Sequence, residues 1–143
     1  MYKSQNTLSK IIDFTGIGLH SGERVKISLI PTAIDTGINF KINNTLILAS
    51  WQNAVVSQLC TRLKFRENAI STIEHLMAAI SGLGITNLII QINSNEVPIL
   101  DGSSKEFVDE IRNVGITEQN KKQKILKILK KVEHKDQEKF IHI

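Results

Sequence analysis

The run Ser71-Thr72-Ile73-Glu74-His75 sets a carboxylate beside an imidazole where an amphipathic pattern begins. A neutral imidazole binds metals, and a neighbouring carboxylate can take a proton from water, so the pair suits metal-assisted hydrolysis. Adjacent side chains on a helix point about 100° apart, so the two can flank one site only at a helix end. A structural reading stands beside this one. Ser71 and Glu74 have the spacing of a capping box, and His75 fits a partly buried core position. The patterns His-Glu-x-x-His and His-x-x-Glu-His are absent. One histidine also falls short of the three protein ligands of a catalytic zinc.

Four other places carry chemistry-bearing side chains. His20 lies among glycines in Gly18-Leu19-His20-Ser21-Gly22, where a loop imidazole and backbone N–H groups can approach an anion. It also fits a simple turn residue. Asp101, before Gly102-Ser103, is read as an Asx-type turn leading into a helix. Cys60 has Arg62 as its one basic neighbour within two positions and is read as a buried structural thiol. His134 and Glu138 have metal-ligand spacing only on a helix; their polar surroundings point to a hairpin turn instead.

These residues need elements to position them. A short strand is expected at 7–12, followed by a Gly-rich stretch at 15–22. Val25, Ile27 and Leu29 alternate with Lys26, Ser28 and Ile30, the period of a half-buried strand that Pro31 ends. Further strands are expected at 37–42, 46–49, 55–62 and 87–92, with a turn at Asn43-Asn44. Helices are expected at 71–83 and 103–114. Their apolar faces are Ile73, Leu76, Met77 and Ile80, then Phe107, Val108, Ile111 and Val114. Each begins with Ser-x-x-Glu, capping-box spacing, and ends at glycine. Residues 117–124 read as a Lys-rich linker, 125–132 as strand or helix turn, and 140–143 as a resumed apolar pattern, as though the chain were cut short. Many strands around two separated helices imply an α+β fold, a two-layer sandwich of mostly antiparallel sheet against two helices. There is no strand–helix alternation and no Gly-x-Gly-x-x-Gly opening a helix.

The chain has 143 residues, 41% hydrophobic and 22% charged, which suits one domain with a real core. The net charge of +4 is unevenly placed. Residues 121–143 hold eight lysines and three acids, so the first 120 residues are near neutral. No aromatic residues interleave the tail lysines in the manner of a base-stacking surface, so nucleic acid is not an expected partner. No run of 18 apolar residues exists, and the N-terminus lacks a secretory h-region. With one cysteine there is no internal disulfide framework. The expectation is a cytoplasmic protein that is not integral to a membrane.

Taken together, Gly16-Ile17-Gly18-Leu19-His20-Ser21-Gly22, Leu59-Cys60-Thr61, Ser71-Thr72-Ile73-Glu74-His75-Leu76, Gly82-Leu83-Gly84-Ile85 and Asp101-Gly102-Ser103 resemble one family. They stand in the order and spacing of the zinc-dependent UDP-3-O-acyl-N-acetylglucosamine deacetylases of lipid A biosynthesis. The resemblance covers roughly residues 7–120 and extends weakly to 143. It implies two similar α+β domains, each a strand layer against a helix pair, with the active site between them. It implies Glu74 as general base, His75 as one zinc ligand, and His20 as a substrate contact, with Leu59 and Cys60 lining the same cleft. It also implies hydrolysis of the substrate's acetamide to a free amine and acetate. The family's other two zinc ligands, in a His-Lys-x-x-Asp helix, its catalytic histidine and its acyl passage belong to the second domain. His134-Lys135 with Glu138 stands where that domain's first hairpin begins, and the ligand role is not transferred to it. The expected division is a first domain over 1–120, then a linker and the start of the second at 121–143. The missing second domain is an expected partner in trans. The competing expectation is a non-catalytic remnant, or one half of a split enzyme serving as a binding module.

Overall fold

A computed structural model of the chain describes residues 3–143. Its strands are β1 (Ser4–Leu8), β2 (Ile12–Ile17), β3 (Arg24–Pro31), β4 (Ile38–Ile42), β5 (Thr45–Leu48), β6 (Ala54–Val55), β7 (Arg62–Phe65), β8 (Asn68–Ile70), β9 (Leu88–Ile92), β10 (Ile116–Lys122), β11 (Glu133–Asp136) and β12 (Lys139–His142). Its helices are α1 (Glu74–Gly82) and α2 (Lys105–Val114). The α+β class is as expected. The main sheet runs β2-β3-β9-β4-β5, antiparallel except for the β4–β9 pair. Two helices pack on its apolar side.

Period-two patterning builds that side. Val25, Ile27 and Leu29 of β3 are buried, while Arg24 and Lys26 face out. Ile12 and Phe14 of β2, Phe40 and Ile42 of β4, and Leu88, Ile90 and Ile92 of β9 extend the same core. The helices close it with Leu76, Ala79 and Ile80 from α1 and Phe107 and Ile111 from α2. The Phe107 ring meets Phe14 edge-on, with centroids 4.9 Å apart.

Several elements differ from the sequence reading. The strand expected at 7–12 is broken at Ser9-Lys10, and Thr15–Ile17 of the Gly-rich stretch belong to β2. The strand expected at 55–62 touches strand only at its ends, Val55 in β6 and Arg62 in β7, which with β8 form a second small sheet. Residues 116–122 are a strand rather than linker. β10 pairs antiparallel with β1, and buried amides anchor the ribbon. Asn87 Nδ2 donates to Gln5 Oε1 (2.8 Å) and to Gln119 Oε1 (2.7 Å), while its Oδ1 accepts from Gly37 N–H (2.9 Å). Neither capping box forms. Both helices begin later than expected, after Ile73 and Ser104, and neither cap residue makes a side-chain cap hydrogen bond. The α2 start is instead an Asx turn, as expected for Asp101: its carboxylate accepts Ser103 N–H, and Ser103 Oγ accepts Lys105 N–H. Residues 125–129 have no regular structure, and His134 and Glu138 fall in the β11–β12 hairpin as expected. No helix among the described residues is long and apolar enough to cross a membrane.

Candidate functional site

The start of α1 is shaped by its neighbours more than by its own sequence. Ser71 forms an isolated parallel bridge with Glu96 and takes part in two backbone bonds, Ser71 N–H to Asn95 O (2.9 Å) and Val97 N–H to Ser71 O (3.1 Å). Thr72 then turns with φ +58°, a left-handed conformation that a β-branched residue rarely adopts. Only at Glu74 does the helix begin. With Thr72 left-handed and Ile73 at the cap position, Ser71 stands outside the helix start, and the Glu74 carboxylate is directed elsewhere. Its Oε2 accepts Thr61 N–H at 3.0 Å, while Oε1 has no hydrogen-bond partner among the described residues. His75, one position on, is half-buried, and neither ring nitrogen has a hydrogen-bond partner among those residues.

His20 stands on the β2–β3 loop. Gly18 N–H bonds to Glu23 O and Gly22 N–H to Gly18 O, so the loop is closed on itself. Its inner surface faces one carboxylate. Glu96 is only 3% exposed. It accepts Ser21 N–H at 2.9 Å, His20 N–H at 3.0 Å, the Thr72 hydroxyl at 2.8 Å and His20 Nδ1 at 2.7 Å. Burial alone would raise its pKa. The Ser21 and His20 donors outweigh that and bring it down to about 2, so Glu96 is ionised at neutral pH. Gly18 is required here, since a Cβ on it would stand 2.5 Å from Glu96 Oε2.

His20, Ser57, Cys60, Ser71 and Glu96 line one cleft of about 410 Å³. Cys60 is half-exposed in it with Sγ 3.2 Å from Ser57 Oγ, so the buried-thiol reading does not hold. Glu74 lines a separate apolar hollow with Trp51, Thr61, Leu63, Ile73 and Met77; Thr61, whose N–H holds its carboxylate, directly follows Cys60 of the first cleft. Leu59, 91% exposed at φ +59°, and His75 line neither. The structure therefore brings His20 and Cys60 together, sets Glu74 at the adjoining rim, and leaves His75 and Leu59 outside both hollows. Glu96 escaped the sequence reading. Its signal was a lone carboxylate directly before the apolar run Val97-Pro98-Ile99-Leu100, a place where a charge needs partners.

Among the described residues, no group of three or more His, Cys, Asp or Glu side chains is placed to hold a metal. The donor set fits a metal only in part. His75, half-buried with both ring nitrogens unpaired, suits a single ligand, and the remainder of a three-ligand set is not in this arrangement.

Comparison with known proteins decides the family. The sequence profile of the UDP-3-O-acyl N-acetylglycosamine deacetylase family matches residues 5–143. The chain belongs to this family. It is 40% identical over 141 residues to the UDP-3-O-acyl-N-acetylglucosamine deacetylase of Legionella pneumophila (strain Corby), a match covering 96% of this chain and 46% of that protein. Deacetylases of the same name from Brucella melitensis biotype 1 and Brucella ovis are 40% identical over 132 residues, 90% of this chain and 46% of theirs. The chain thus spans just under half the length of the curated relatives it matches.

Proposed function

We propose that this chain is the first domain of a zinc-dependent, cytoplasmic deacetylase acting on UDP-3-O-acyl-N-acetylglucosamine. That domain, expected from sequence to end at 120, runs on to Lys122 with the end of β10, and the residues after it lead into a second one that completes the site. The observation that carries the reading is the half-anchored carboxylate of Glu74. Thr61 N–H fixes Oε2, and Oε1 is left free to accept a proton. A residue serving only as a helix cap would have turned back to its own first turn.

In the complete enzyme Glu74 takes a proton from the attacking water, the water oxygen bonds to the acetamide carbonyl carbon, and the C–N bond breaks. The proton is delivered to the departing nitrogen, giving a free amine and acetate. His75 would be one ligand of the zinc, which would supply Lewis-acid chemistry when bound. His20 contacts substrate from the adjoining cleft, and Cys60 and Leu59 contribute to its wall.

The test is Glu74→Gln with the second domain supplied by fusion or in trans, measuring deacetylation, zinc content and thermal stability. Loss of a general base lowers kcat by roughly 10²–10⁴ with folding and zinc unchanged. Near wild-type activity with zinc bound would remove Glu74 from the chemistry. A second reading, a non-catalytic remnant or a split-enzyme half acting as a binding module, is separated by the same experiment. An inactive reconstituted wild type would support it.

A further inference from the structure

We propose that Glu96 is the positioning residue of this site, a buried carboxylate that fixes both the ring of His20 and the turn that launches α1. Two separate stretches of chain converge on its two oxygens, and backbone bonds tie its own segment to their neighbours. From the β2–β3 loop come the N–H groups of His20 and Ser21 and the His20 Nδ1. From the turn before α1 comes the Thr72 hydroxyl, which also lies 3.3 Å from His20 Nδ1. From its own segment, backbone bonds tie Asn95 and Val97 to Ser71, and Ile99 N–H to Ile17 O at 3.0 Å. The segment is therefore wedged between the end of β2 and the start of α1, with the carboxylate in the gap.

Two consequences follow from hydrogen-bond chemistry. An ionised carboxylate has no hydrogen to give, so every group facing it must donate. His20 then carries its hydrogen on Nδ1, and in the neutral ring Nε2 is left with its lone pair on the opposite edge. The side chain is 41% exposed, so that edge is accessible from the cleft. Glu96 thereby makes His20 an acceptor toward whatever enters, in a fixed orientation. The second consequence concerns Thr72. Its left-handed backbone is held by the hydroxyl's bond to Glu96 Oε1. Without that bond the turn relaxes, and the first residues of α1, Glu74 and His75, lose their setting.

The role of His20 as a substrate contact rests on the function proposed above; the positioning by Glu96 is measured without it. The experiment uses the 143-residue chain labelled with ¹⁵N, and reads the His20 ring nitrogens and the backbone amides of 72–75 by NMR. In the wild type the neutral ring is expected with hydrogen on Nδ1, opposite to the tautomer a free imidazole favours. In Glu96→Gln the amide group points an N–H at one of these donors. The His20 ring is then expected to revert to a mixture, and the amide signals of 72–75 to shift. Thr72→Val is expected to move the amides of 72–75 while leaving the His20 tautomer in place. A wild-type His20 protonated on Nε2 overturns the proposal with no variant needed, so a Glu96→Gln that fails to fold does not rescue it. Unchanged tautomer and amide signals in a folded Glu96→Gln overturn it as well. Deacetylation enters no arm, so inactivity of the rebuilt enzyme bears only on the function proposed above.

Discussion

Glu96 makes the stability of this domain depend on acid in a calculable way. Its folded pKa lies near 2 against an ordinary value of 4.5. A group whose pKa is depressed by folding stabilises the fold above its unfolded pKa, because the unfolded chain binds the proton more readily. The contribution is fully present near neutrality and is lost as pH falls toward the folded pKa. A gap of about 2.5 units corresponds to about 3 kcal/mol, of which about 2 kcal/mol disappears between about pH 5.5 and about pH 3. Urea unfolding of wild type and Glu96→Gln across that window isolates the effect. Asp13, Asp35 and Asp101 also have lowered pKa values, but they titrate in both proteins and cancel in the difference. The stability gap between the two should therefore narrow by about 2 kcal/mol on acidification. A gap that stays constant from about pH 5.5 to about pH 3 would falsify the assignment of Glu96 as a buried, donor-saturated carboxylate.

Two further outcomes are expected. Asn87→Ala removes a fully buried amide that serves Gln5, Gln119 and Gly37 at once. It should cost roughly 1–3 kcal/mol for each group left unpaired, and a loss below about 0.5 kcal/mol by urea unfolding would contradict the network. The 143-residue chain should bind zinc weakly, since among the described residues no three His, Cys, Asp or Glu side chains are placed to hold a metal. Stoichiometric zinc surviving dialysis and lost in His75→Ala would contradict this and return attention to His134 and Glu138.

The core was legible because its signal is local. The alternation of Val25, Ile27 and Leu29 needs only a strand with one wet face, and β3 has that pattern. Phe107 and Ile111 are four apart on α2, and both are buried as that spacing requires. β10 was missed for the complementary reason. Ile116–Lys122 is mostly polar and exposed, with no alternation to read, and is a strand only because β1 offers it a ladder and the buried Asn87 donates to Gln119. The small sheet β6-β7-β8 was lost similarly, since its strands are two to four residues long.

The α1 start shows where local reasoning fails and why that failure points at function. Ser71-x-x-Glu74 satisfies every requirement of a capping box, and an isolated helix of this sequence has good reason to form one. What overrides it is a carboxylate 24 residues beyond Thr72, reachable only in the folded chain. Glu96 takes the Thr72 hydroxyl, the backbone at 95–97 takes Ser71, and the helix loses a favourable first turn and gains a strained residue at φ +58°. Each of those changes is unfavourable by itself, so the arrangement persists because the surroundings over-determine it. The same displacement leaves Glu74 with one oxygen held and one free. A domain selected for stability alone would keep the capping box and put an apolar residue at position 96. The retained charge and the displaced helix start are together what the proposed site would require, with His20 and Glu74 both held in place.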